Sequence, residues 1–80
     1  MVAGEWYKSF GGPGKTTYYH ILSMEDEKSV TLELFDYYAT FRKVVNAGKK
    51  AFPMKWWMEQ LIDNAVHEIP KQAVPFLLTV

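Results

Sequence analysis

Along Thr16–Met24 and again along Val30–Leu34 the residues pattern at a spacing of two, and from about Asp36 onward the apolar positions recur at three and four. The first spacing is that of strands with one face turned inward, and the second is that of helices with an apolar stripe. Glu5 to Phe10 is a short aromatic segment that runs into Gly11, Gly12, Pro13 and Gly14, the strongest breaker cluster in the chain. Thr16 to Met24 is rich in β-branched and aromatic residues, with Tyr18, His20, Leu22 and Met24 on one face and Thr17, Tyr19, Ile21 and Ser23 on the other. The polar run Glu25–Lys28 predicts a tight turn. Val30, Leu32 and Leu34 then predict a third strand with an aliphatic inner face. Together these segments predict a meander of three antiparallel strands.

Tyr38, Phe41, Val44 and Val45 carry the helical spacing, with Asp36 as N-cap and Gly48 as C-terminal stop, and predict a first helix over about 36–47. The same residues also suit a strand ending in a turn at Asn46, Ala47 and Gly48. A second helix starts at Pro53, presents Trp57, Leu61, Ile62, Ala65 and Ile69 as one stripe, and ends at Pro70. Val74 to Val80, with Pro75 near its start, predicts an edge strand. The expected fold is therefore α+β: a small antiparallel sheet, made of the meander plus a C-terminal edge strand, packed against two helices.

Eighty residues, 49% of them hydrophobic, can surround one core, so residues 1–80 are read as a single domain. The absence of cysteine removes disulfides and thiolate-rich zinc sites as sources of stability and favours a reducing compartment, by default the cytoplasm. No apolar run approaches the roughly 18 residues of a spanning helix, and no membrane role is expected.

Net charge is zero, yet its distribution is blockwise. Glu25, Asp26, Glu27, Glu33 and Asp36 face a single cation, Lys28, between positions 25 and 36. Arg42, Lys43, Lys49, Lys50 and Lys55 face no acid between positions 37 and 58. Such segregation either polarises the molecule or brings the two blocks together to neutralise one another.

Few groups point to catalysis. The run Gly11-Gly12-Pro13-Gly14-Lys15-Thr16 ends like a phosphate-binding loop, but Ser9 stands where that loop needs its first glycine, and a strand follows where a helix should. It is read as a hairpin connection. Glu59, Asp63 and His67 stand at four-residue steps, which on one helix would line a face, but a fourth metal ligand is lacking and a solvated face accounts for them. His20 and the serines lack partners at a persuasive spacing. No enzyme activity, metal or cofactor is expected.

The aromatic residues are more informative. Trp6, Tyr7, Phe10, Tyr18, Tyr19, Tyr37, Tyr38, Phe41, Phe52, Trp56 and Trp57 exceed what one small core readily buries. In each adjacent pair the members point in different directions, so one is expected outward. Trp56, off the apolar stripe that Trp57 joins, is the best candidate anchor. The candidate partner-binding set is Trp56, Lys55, Lys49, Lys50, Tyr37, Tyr19 and Trp6, since aromatic anchors dominate protein interfaces and charge sets orientation. These residues predict a small non-catalytic protein-binding module, an adaptor, subunit or inhibitor of the kind phages direct at host enzymes, with β-augmentation at an open strand edge as a further contact. The alternative is a single-stranded nucleic-acid binder using the basic and aromatic segment 42–57, which neutral net charge and a lone arginine weaken. Pairing of two copies through the aromatics is compatible with either.

Overall fold

In the computed structural model, which describes residues 1–77, the alternating segments become strands β1 (Trp6–Gly12), β2 (Lys15–Ser23) and β3 (Ser29–Tyr38). Pro13 and Gly14 close the β1–β2 hairpin, and Gly14 takes the positive φ of 75° that the reversal requires. Asp26 makes the β2–β3 turn by accepting the backbone N–H groups of Lys28 and Ser29 at 2.7 and 2.8 Å. Both donors favour the ionised carboxyl, which therefore sits below its usual range.

The chain next departs from the first predicted helix. β3 runs through Tyr38, residues 39–42 reverse the chain, and β4 (Lys43–Pro53) returns antiparallel along β3. Tyr37, Tyr38, Val44 and Val45 are β-branched or aromatic residues that lose little in a strand, and Tyr37 and Phe35 pack against Phe76 from outside the segment. The spacing that suggested a helix is produced by the two arms and tip of a hairpin. Asn46 to Gly48 is neither a helix end nor a turn. It is a bulge within β4, where the pairing slips between Leu34 opposite Gly48 and Phe35 opposite Asn46.

Pro53 leads into the one α-helix among the described residues, α1 (Met54–Ile62). The predicted continuation to Pro70 does not form. Asn64 adopts a left-handed φ of 58°, and Ala65 donates its N–H to the Gln60 carbonyl at 2.9 Å, closing the helix end. Beyond it, β5 (His67–Ile69) pairs antiparallel with β1, giving a five-stranded sheet in the order β4-β3-β2-β1-β5. Ile69 thus belongs to the sheet, while Ile62 is 74% exposed.

The C-terminal segment is not an edge strand. Lys71–Ala73 and Pro75–Leu77 form single 3-10 turns that place Val74 and Phe76 on the sheet; residues 78–80 of the predicted strand lie outside the described residues. The fold is α+β in kind, but one helix, rather than two, packs on the sheet.

Both faces of the sheet are covered. On the helix face Tyr7, Ile21, Val30 and Leu32 enclose Trp57 and Val66. On the second face Trp6 and Tyr18 pack with Val74, edged by Phe35, Tyr37, Ile69, Phe76 and Leu77. The expected alternation along β2 holds as far as Ile21, after which a register shift before Ser23 brings Met24 to the helix face.

Candidate functional site

The two layers take up most of the aromatic surplus. Trp6 is buried on the second face, stacked on His20 with ring centroids 4.2 Å apart. Burial against that ring lowers the His20 pKa, opposed in part by Glu33 across the strand. Tyr37 is half-buried on the same face, its ring 6.1 Å from Phe76. Tyr19 is half-buried under α1, 5.6 Å from the Trp57 ring, and its hydroxyl accepts from Ser9 Oγ at 3.3 Å. In the pairs Trp6–Tyr7 and Tyr18–Tyr19, the member not on the helix face is covered by the C-terminal segment rather than by solvent.

The remaining four members of the candidate set lie on β4 and on the first turn of α1 that follows it. Lys49 and Lys50 are exposed and, being consecutive in a strand, point to opposite faces. Lys49 lies opposite Glu33 and Lys50 opposite Leu32. Lys55, on the first turn of α1, is exposed. Trp56 is half-buried and stacks on Phe52 of β4 with centroids 4.8 Å apart and planes 21° from parallel. Its ring is braced by the strand on one side and stays in reach of solvent on the other.

Three residues that the sequence placed in a helix also belong to this edge. Phe41 at the hairpin tip is 77% exposed, and Val44 and Val45 are 39% and 42% exposed beside Arg42 and Lys43. Only their failure to fit a buried stripe once β3 and β4 pair reveals them. β4 is the outermost strand, with β3 on one side and no strand among the described residues on the other, over eleven residues. Its two ends differ. Gly48 has a φ of 98°, and Asn46 both accepts the Gly48 N–H at 2.7 Å and donates to Glu33 at 3.0 Å, so the bulge divides an aliphatic half toward the tip from a lysine and aromatic half toward α1. Among the described residues, Arg42, Lys43, Lys49, Lys50 and Lys55 are in no ion pair, whereas Lys15 reaches Asp36 at 3.9 Å.

Elsewhere the polar clusters have structural partners. Glu5 accepts the Val2 N–H at 2.7 Å and the Tyr7 hydroxyl at 3.2 Å. Val2 and the neighbouring Glu68 carboxyl hold Glu5 below the usual range, while sharing a proton with Glu5 raises Glu68. Burial, followed by the Glu5 carboxylate, pushes Tyr7 up to about 12. Glu59, Asp63 and His67 are separated, the first on α1, the second just past its end and the third on β5. Among the described residues no three such groups are placed to hold a metal ion, and no pocket is present. No helix there is long and apolar enough to cross a membrane. Gly11 to Thr16 lies in the β1–β2 hairpin and opens no helix.

Comparison of the chain with protein-family models, with curated proteins and with solved structures finds no match.

Proposed function

We propose that the protein is a non-catalytic binding module, an adaptor, subunit or inhibitor, that engages a partner protein along the β4 edge. The observation that carries this reading is the eleven-residue strand itself, which among the described residues has a strand neighbour on one side alone. Such an edge offers a row of main-chain donors and acceptors to an incoming strand, and natural sheets usually blunt it. Here the opposite edge is blunted: β5 has only three residues and ends at Pro70. β4 carries a bulge and three lysines, which guard it against indiscriminate pairing, and to either side of the bulge its aliphatic tip and aromatic end supply the apolar contacts that give an added strand affinity.

The same cations support single-stranded nucleic acid as the second reading. Its weakness lies in the stacking platforms. Trp6, Tyr7, Tyr18 and Trp57 are buried, and Phe52 and Trp56 stack on each other. The test compares the wild type with a Lys49→Glu/Lys50→Glu variant as immobilised bait for proteins of the native cell or its host, beside titration of labelled oligothymidylate and random-sequence RNA. Proteins retained by the wild type and lost from the variant, without nucleic-acid binding at physiological salt, are expected. Salt-sensitive micromolar binding of the oligonucleotides and identical protein retention by both baits would refute the reading.

A further inference from the structure

We infer that the α1-proximal half of β4 selects an extended acidic segment of its partner, paired antiparallel to Lys49–Phe52 and reading apolar–x–acid–acid in chain order. The inference rests on the proposed protein-binding role and specifies what the edge recognises.

The bulge limits the docking length. With an extra residue at Asn46–Gly48, a regular incoming strand keeps its ladder along one half of β4 and loses it across the slip. In the half from Lys49 to Pro53, side chains alternate between faces: Lys50 and Phe52 on the helix face, Lys49 and Ala51 on the second face. A strand added outside β4 places one residue opposite each, with Cβ atoms about 4.5–5.5 Å away. Phe52, backed by Trp56, calls for an apolar side chain. Exposed Ala51 sets no demand and takes the spacer. Lys50 and Lys49, unpaired with any carboxylate among the described residues, call for two consecutive acids. Every strand pairing within the sheet is antiparallel, the more stable arrangement per residue, and that direction fixes the order.

A second β4 edge does not meet this demand, since between Arg42 and Lys55 the chain holds five cations and no acid and would offer Lys49 and Lys50 no carboxylate. The chain does contain the motif once, as Met24-Glu25-Asp26-Glu27. That stretch is held in the β2–β3 turn, where the Asp26 carboxylate already accepts two backbone N–H groups, and it cannot lie extended along a neighbour.

The experiment is fluorescence anisotropy with a labelled decapeptide bearing Leu-Thr-Glu-Glu at its centre among threonines and valines. Its controls are the same peptide with Gln-Gln for Glu-Glu, the reversed order Glu-Glu-Thr-Leu, and labelled oligothymidylate. The acidic peptide is expected to bind about tenfold more tightly than the glutamine peptide, two opposite-charge cross-strand pairs being involved, and to weaken as salt rises. Lys49→Glu/Lys50→Glu should abolish the preference with the unfolding midpoint retained. Lys49→Gln/Lys50→Gln, which adds no repulsion with Glu33, should do the same if the first variant folds poorly. Equal affinity for the acidic and glutamine peptides, or no saturable binding by either, overturns the inference, and equal affinity for the reversed peptide overturns the antiparallel order. If the peptides fail while partner proteins are still lost from the Lys49/Lys50 variant, the specificity inference falls and the binding role stands. Preferential binding of oligothymidylate sinks both.

Discussion

Replacing each of the adjacent tryptophans by alanine should separate core from edge. Trp57 is fully buried, its ring 5.1 Å edge-on to Tyr7 and 5.6 Å from Tyr19, and its indole N–H donates to Met1 Sδ at 2.8 Å. A buried tryptophan removes about 150–250 Å² from water, or about 4–6 kcal/mol at ~25 cal/mol per Å²; measured truncations of this size cost about 3–5 kcal/mol. A chain of this length has about 4–12 kcal/mol in total, so Trp57→Ala removes about a quarter or more of its stability. Trp56 is half-buried, with Phe52 as its stacked partner and Trp57 at 6.3 Å, and about half the area gives a loss of about 2 kcal/mol. The assay is urea unfolding followed by far-ultraviolet circular dichroism, because both variants alter tryptophan fluorescence. With a slope of about 1 kcal/mol per molar urea, Trp56→Ala should lower the midpoint by about 2 M. Trp57→Ala should lower it by at least about 3 M or unfold the protein without urea, with Trp57→Phe as a graded intermediate. Equal losses from the two alanine variants, or the larger loss from Trp56→Ala, would refute the rotation of α1 on the sheet.

Other perturbations probe the bulge, the helix end and the second face. Gly48→Ala should cost about 1–2 kcal/mol in the same urea assay, through backbone strain alone, since φ is 98° and an added Cβ would meet nothing within 4 Å. Asn64→Ala should cost about 1 kcal/mol while Asn64→Gly should be neutral or slightly stabilising, because the residue closes α1 at a φ of 58°. His20 is depressed by burial against Trp6, so the folded state prefers its neutral form. Its contribution should be complete above its ordinary value of about 6.5 and be lost as pH falls through the lower folded value. Melting temperature measured from about pH 8 down to about pH 5 should therefore decline, and His20→Gln should flatten that decline; an unchanged slope would contradict the burial.

Local patterns announced much of the architecture. The period of two over Thr16–Met24 and Val30–Leu34, the breakers at Gly11–Gly14, the polar turn at Glu25–Lys28 and a helix start at Pro53 all rest on steric and hydrogen-bonding preferences within a few residues, and each recurs in the structure. The basic run from Arg42 to Lys55 was likewise plain in the sequence. Long-range contacts decided the rest. Residues 36–47 suit either helix or strand locally, and pairing of β4 along β3 with Phe76 against Phe35 and Tyr37 tips the balance. Trp6 and Tyr37 looked like outward anchors because a single core was assumed. The C-terminal segment, carrying Val74 and Phe76 onto the second face, turns them inward. Val74 and Phe76 stand 67 to 70 residues from Trp6 and Tyr7 in the chain, so no short-range period could report the contact. The order of strands follows for the same reason: pairing β5 with β1 leaves β4 outermost, and which strand is left without a neighbour is a property of the whole chain.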